Sequence, residues 1–453
     1  MNRRHFLQQL LSLSTGATLA SPLFSAAHAD TLTPGDFKAL VCIMKTGGND
    51  STNMIVPRST TEYQTYAEVR PTLALPVENL LPVNPHTTNQ GDFGLHPALP
   101  DVQRLFAENK AAIIANVGTL MEPTSKEAVD NHTATLPPYL FSHSTQKNLW
   151  QSATPFELAV KSGWAGRLID QFELQSGRLL PPSLSISGAN FWQSGTQNGS
   201  YRLQSTGATP QYGISPGTHE RKAFSQLLGL SEHDAIYTRS HGRAQKNAVA
   251  LGEAVNDLLL DLPALSEFGF DDDDRLSRSL RITAQLIIAN TQLSTLQLPR
   301  MTFYINQGGY DTHNDQLDDH QNLYGSFNTA ISAFIKALEH YGLSQSVTTF
   351  TASDFGRTVS ANEDGTDHGW GGHYLVFGGA VKGGDIYGTM PDLALDGPNI
   401  VKKSRLLPGF ATEQYAATLC RWFGVPDNNL TQVLPMLTNF PQKDLGFMQT
   451  AAT

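Results

Sequence analysis

Short apolar runs alternate along the chain with longer segments of helical period. Leu40–Met44, Ala111–Val117, Leu184–Ser187, Met301–Ile305, Val347–Ala352 and Tyr374–Phe377 are runs of four to seven residues, rich in β-branched or aromatic side chains, and read as buried strands. Pro97–Glu108, Phe156–Ser176, Arg243–Leu260, Leu276–Leu296, Leu317–Tyr341 and Ala411–Phe423 repeat apolar positions at helical spacing. Strands that alternate with helices predict an α/β fold with a mostly parallel sheet and helices on its faces. Two stretches interrupt the alternation. Residues 58–95 and 188–240 lack sustained period and read as irregular insertions, the second as a possible cover for a crevice. No repeat of the solenoid kind is present.

Several of these strands end in the same way. Leu40–Met44 leads into Gly47-Gly48-Asn49-Asp50, and Met301–Ile305 into Gly308-Gly309-Tyr310-Asp311 with Thr312 and His313 directly after. Val347–Ala352 ends at Ser353-Asp354, and Asp367-His368-Gly369-Trp370-Gly371-Gly372-His373 precedes Tyr374–Phe377. Residues just past the carboxyl ends of parallel strands converge on one rim, where glycines permit the tight turns. Asp50, Asp311, His313, Asp354 and His368, with Asp367 and His373 alongside, are therefore candidate ligands for a divalent ion. Oxygen and nitrogen donors without thiolate suit zinc, manganese or magnesium. The same residue types also serve in hydrogen-bonded networks that only organise loops.

The amino terminus narrows where such chemistry would take place. Arg3-Arg4-His5-Phe6-Leu7 opens a weakly apolar stretch that ends at Ala27-His28-Ala29, a charged start and a small-x-small cleavage site. The pattern is that of a twin-arginine export signal over residues 1–29, with the translocase as an export partner and residues 30–453 as one large exported domain. The periplasm or the extracellular space is the expected destination. Loss of the signal removes two arginines and no acid, taking the formal charge from −10 to −12. An acidic chain of this kind is not a nucleic-acid binder. No further stretch reaches the roughly 18 apolar residues of a membrane span. Cys42 and Cys420 are the only cysteines, which excludes a disulfide framework and leaves a single bridge open.

Hydroxyls and cations near the expected rim supply the remaining candidates. Ser142, next to His143, lies after a different strand from Asp50 and can approach an ion from the opposite side; Thr312 separates Asp311 from His313, and Ser51 must point along its own turn. Ser142 can equally be the N-cap of a helix over Gln146–Gln151. Arg357 and Lys45 are the candidate anion-binding cations, Arg357 through its planar fork. His96 opens a helix beside the same rim. The run Asp271–Asp274 is read as negative charge at a helix amino terminus, because it lacks the glycine and distal glutamate of a calcium loop.

Gly47-Gly48-Asn49-Asp50, Phe93-Gly94-Leu95-His96-Pro97, Ser142-His143 with Gln146, Gly163-Trp164-Ala165-Gly166-Arg167, Tyr310-Asp311-Thr312-His313, Asp354-Phe355-Gly356-Arg357-Thr358 and Gly365–His373 together resemble the exported family known as domain of unknown function 1501, grouped with the alkaline phosphatase superfamily. The resemblance spans nearly all of the mature chain. It implies a three-layer α/β/α sandwich with its site at the strand carboxyl ends. By likeness to the wider superfamily's two-metal site, Asp50 corresponds to the first-strand aspartate, Asp311 and His313 to an aspartate and histidine of one metal, and His368 to that metal's last histidine. Phe355 stands where a histidine would follow Asp354, which leaves the second metal without a ligand unless Asp367, His373 or His143 substitutes. The expectation is a metal-dependent hydrolase of small or polymeric phosphate or sulfate esters, in which Ser142 or water attacks. The alternative is a non-catalytic relative that binds a ligand or partner at the cell envelope.

Overall fold

All six apolar runs form strands, because each is too short and too continuously apolar to present a helical stripe. The computed structural model describes residues 37–87, 91–154, 156, 161–172, 180–208, 217–230, 236–293 and 296–449. The export signal expected at residues 1–29 lies outside them. The main sheet contains β1 (Lys38–Lys45), β2 (Ala111–Gly118), β3 (Ser183–Ser185), β4 (Tyr201–Arg202), β5 (Arg300–Gln307), β6 (Val347–Ser353), β7 (Gly372–Phe377), β8 (Ile386–Tyr387) and β9 (Phe410–Ala411). Their order is β8-β2-β7-β6-β1-β5-β3-β4, with β9 beside β2. Among the described strands of this sheet only β7 runs antiparallel to its neighbours, β2 and β6.

Period-two alternation along β1 divides the core between the two faces of the sheet. Ala39, Val41 and Ile43 pack with the helices Pro100–Ala107, Arg275–Gln292 and Gln316–His340. Leu40, Cys42 and Met44 pack on the other face with His143–Ser152, Trp164–Ile169 and Thr412–Phe423. Helices thus cover both faces, and the fold is the expected three-layer α/β/α sandwich. Cys42 and Cys420 are buried, and both thiols are free. Asp274 is the N-cap of the Arg275–Gln292 helix and accepts from the Ser277 amide, so the acidic run does end in a helix cap.

The register places the site. Lys45 at the end of β1 lies opposite Gln307 of β5 and Ser353 of β6. The turns that follow these three strands therefore leave the sheet at one level. Gly47 has φ +117°, and a Cβ there would lie 2.4 Å from the Asp311 amide nitrogen. Only glycine lets the turn after β1 press against the turn after β5.

The stretch 58–95 is more ordered than its sequence suggests. It contains a helix, Thr60–Val69, and two three-residue strands, Leu81–Val83 and Phe93–Leu95, which pair antiparallel in a small sheet with Ile55–Pro57. Three-residue strands are too short for period two to register. The 188–240 stretch also holds β4, a helix His219–Leu230 and the start of the helix Ile236–Leu260. Of the expected helix Phe156–Ser176, Trp164–Ile169 is helical; 157–160 and 173–176 lie outside the described residues.

Candidate metal centre

Four elements deliver donors to one point on the rim. His143 is the first residue of the His143–Ser152 helix, Asp311 and His313 follow β5, Asp354 follows β6, and His368 lies in the loop that leads to β7. The Nε2 atoms of His143 and His368 are 2.9 Å apart. Asp311 Oδ1 lies 3.4 Å from the first and 3.3 Å from the second. His313 Nε2 adjoins the group, 3.0 Å from Asp311 Oδ1 and 3.2 Å from His368 Nε2.

The opposite nitrogen of each ring decides what these atoms are. His143 Nδ1 lies 2.9 Å from Asp354 Oδ2, and His368 Nδ1 2.8 Å from the Phe141 carbonyl oxygen. His313 Nδ1 lies 3.3 Å from Asp367 Oδ1. Each partner is an acceptor, so each Nδ1 carries a proton, and in the neutral form of each ring the Nε2 lone pair faces inward. Inward lone pairs beside a carboxylate oxygen repel one another unless a cation lies among them. An imidazole fixed through its far nitrogen by a carboxylate or carbonyl is the usual arrangement of a metal-ligating histidine.

The spacing fits an ion. Tetrahedral zinc with bonds of about 2.0–2.1 Å has ligand–ligand edges of about 3.3 Å, close to the three separations within the His143, Asp311 and His368 group. The surroundings are graded from closed to open: the Asp354 side chain is fully buried, whereas that of Asp311 is 46% exposed. A second buried donor is also free, because Asp354 Oδ1 has no hydrogen-bond partner. Asp354 Oδ2 in addition accepts from the Gly47 amide.

The ionisation states follow from these contacts. The hydrogen bond to Asp354 raises the pKa of His143 against the opposing effect of burial. Burial lowers that of His368, and the neighbouring His143 and Arg357 add to the effect. Burial alone would raise Asp311, but the hydrogen bond and charge of Arg357 outweigh it and hold the carboxyl below its usual range.

The sequence from 37 to 434 matches the family described as "Protein of unknown function (DUF1501)". The chain belongs to this family. No curated protein matches it. Solved structures similar to this DUF1501 member include the PsFucS1 sulfatase from Pseudoalteromonas sp., at 11% identity and TM-score 0.35 over 92% of this chain and 74% of that one. Another is the lipoteichoic acid synthase LtaP from Listeria monocytogenes, at 10% and 0.35 over 88% and 78%. A third is a protein in the alkaline phosphatase superfamily from Vibrio parahaemolyticus, at 13% and 0.31 over 94% and 76%. At such identities no residue-by-residue correspondence follows.

Several expected site residues of this DUF1501 chain lie outside the cluster. Asp50 is fully buried, with both carboxylate oxygens on Arg70 at 2.5 and 3.0 Å and Gln316 Nε2 at 2.6 Å. Its charge is already matched by a guanidinium. Its influence reaches the rim indirectly: Gln316 Oε1 accepts from Thr312 and Thr366, and Thr366 Oγ1 accepts from Arg357 Nε. His373 is buried, its Nδ1 accepts from the Asn116 amide, and burial lowers its pKa to about 4. Asp367 stays at the edge, where it contacts His313 and Asn362.

Arg357 also differs from its expected role. Its side chain is fully buried, and it donates to the Gly47 and Thr366 carbonyls, to Thr366 Oγ1 and, at 2.6 Å, to Asp311. Its charge is thus paired with Asp311. Lys45 Nζ donates to the Tyr310 hydroxyl at 2.7 Å under the ring of Phe327, and burial lowers its pKa far below the ordinary range. His96 accepts from the Ala98 amide and is likewise buried. Ser51 accepts from the His373 amide and Thr312 donates to Gln316, so both hydroxyls are committed. Ser142 is the N-cap of the helix that begins with His143, yet its side chain makes no cap bond and reaches only Ser144, at 3.4 Å.

Two residues carry roles that the sequence did not advertise. Arg70 follows the helix Thr60–Val69 in a stretch without periodicity. Arg405 stacks on Phe141, 3.5 Å from ring centre to guanidinium carbon, and its Nε donates to the His368 carbonyl. Its Nη1 and Nη2 have no hydrogen-bond partner among the described residues. Phe355, where a histidine would serve a second metal, is buried and packs its ring 4.7 Å from that of His143 and 5.0 Å from that of His368.

Proposed function

We propose that this protein is an exported hydrolase of phosphate or sulfate esters that works with one divalent ion, zinc, held by His143, Asp311 and His368 with His313 beside them. The observation that carries the reading is the convergence of three Nε2 atoms and one carboxylate oxygen at ligand–ligand spacing on the open rim of the sheet. When bound, the ion would polarise the ester oxygen and lower the pKa of the attacking hydroxyl. Asp354 and the Phe141 carbonyl keep the imidazoles turned inward, and Arg357 steadies Asp311. Arg405, with two free donor groups, replaces Arg357 as the cation that neutralises charge on the ester. Phe355 contributes no ligand, which limits the centre to a single ion.

Ser142 is the candidate nucleophile, with water as the other. Ser142→Ala separates them: loss of at least about a thousandfold in kcat identifies the serine, and near-normal kcat identifies water. The founding test is elemental analysis of the mature protein purified without chelator, followed by 4-nitrophenyl phosphate and 4-nitrophenyl sulfate assays. Stoichiometric metal with turnover of either ester supports the reading. Wild type that stays free of metal after zinc, manganese and magnesium are added back overturns it. Stoichiometric metal without turnover of any ester supports a ligand-binding role at the envelope instead.

A further inference from the structure

The helix His143–Ser152 begins at the metal centre, and its following turns form one wall of a polar cavity of about 360 Å³. Lys147, Asn148 and Gln151 come from this helix; Thr46, Ser187 and Asn306 come from the carboxyl ends of β1, β3 and β5. The cavity therefore opens on the same rim as the centre and shares the turn after β1 with it. His143 and Lys147 are four residues apart, about 6 Å along the helix axis.

Not every polar group in this cavity is available to a ligand. Gln151 Oε1 accepts from the Phe191 and Trp192 amides, and Asn190 is paired with Gln193. Thr46 donates to Asn306 Oδ1, and Ser187 Oγ accepts from the Asn306 amide. What remains includes several donors. Among the described residues Lys147 Nζ has neither an acidic nor a hydrogen-bonding partner, and the Asn306 and Asn148 side-chain amides keep free N–H groups. Among the described residues no carboxylate lines the cavity. In a chain of formal charge −10 this is a locally positive, acid-free pocket. The ammonium of the half-buried Lys147, without a counter-ion among the described residues, is matched by an anion, the surrounding amides and the Ser187 hydroxyl suit hydroxyl groups, and the half-buried Phe191 offers an apolar face.

We infer that this cavity binds a second anionic group of the substrate, a carboxylate, sulfate or phosphate on a hydroxylated scaffold. The substrate is then an ester with at least two anionic groups, one at the metal centre and one at Lys147. The link to ester cleavage rests on the function proposed above; the anion preference of the cavity does not. The volume lies at the low end for ligand sites, about 300–1,000 Å³, so the cavity takes a single small unit.

The test is calorimetric titration of the zinc-loaded mature protein with D-glucuronate and with D-glucose at constant ionic strength. Wild type should bind glucuronate about tenfold or more tightly than glucose, the scale of one charge-assisted hydrogen bond. Lys147→Gln should abolish that preference, Lys147→Arg should retain most of it, and His368→Ala should leave it within about twofold. Equal binding of the two sugars, no binding of either, or a preference that survives Lys147→Gln overturns the inference. Loss of the preference in His368→Ala with Lys147→Gln unchanged places the anion at the metal centre and also overturns it. Wild type without metal sinks the hydrolase reading alone, because the glucuronate preference is measured apart from turnover.

Discussion

His143 and His368 bring their Nε2 atoms to 2.9 Å from each other, while Nδ1 on the far side of each ring faces an oxygen acceptor. A shared proton would relieve this pair but leave His313 and Asp311 crowded; a divalent ion relieves all four. Wild type should therefore bind zinc stoichiometrically. His143→Ala and His368→Ala should each weaken it by at least about a hundredfold, since a ligand matters more than the outer partners whose loss costs about 10–100-fold. Competition with a chromogenic chelator measures this directly. Unchanged affinity in both variants would show that the ion lies elsewhere.

In the proposed centre Asp354 would act on the ion through His143. Its Oδ2 accepts from His143 Nδ1 and from the Gly47 amide, so Asp354→Asn should turn an acceptor into a competing donor and release the ring. Zinc affinity should fall about 10–100-fold, with the circular dichroism spectrum unchanged. A Tm shift with no change in affinity would make Asp354 a structural residue only.

The legibility of this site in the sequence depended on distance along the chain. Asp311, His313 and His368 could be grouped because strand ends of a parallel sheet share a rim, and strand ends are visible as breaks in apolar runs. Asp50 has the same signature as Asp311 but a different fate, because Arg70 arrives from a segment with no periodicity and neutralises it. Arg405 was equally hidden: it lies in a two-residue strand, and its value comes from stacking on Phe141 across more than 260 residues of chain. Apolar period reports which face a residue buries and is silent about which polar group it meets there.

The buried Asp50–Arg70 pair should govern stability and spare the ion. Both side chains are fully enclosed, and removal of one partner from such a pair costs about 3–5 kcal/mol. Arg70→Met should lower stability by that amount in urea unfolding, and Arg70→Lys should rescue little because the contact is two-pronged. Arg70 holds the Asp50 carboxyl below its ordinary pKa despite burial. A depressed folded-state pKa gives stability that is present above the unfolded value, about 3.9, and is lost as pH falls through the folded one. In Asp50→Asn the acid-side loss should shrink while zinc stoichiometry stays at the wild-type level; loss of zinc would restore Asp50 as a ligand.

Glu413 sets the opposite trend at higher pH. It opens the Thr412–Phe423 helix fully buried, its Oε2 has no partner, and burial raises its pKa to about 8. The unfolded chain releases this proton near 4.3, so between the two values the folded state binds more protons and stability falls as pH rises. At about 1.4 kcal/mol per unit, the loss by pH 7 is of the order of 4 kcal/mol. Glu413→Gln keeps the shape without the charge and should leave stability near wild type at pH 4.5, then exceed it progressively up to about pH 8. Thermal unfolding at several pH values checks this. Parallel curves for the two proteins would mean that Glu413 finds a partner or water in its ionised form, so that burial is not what controls its proton.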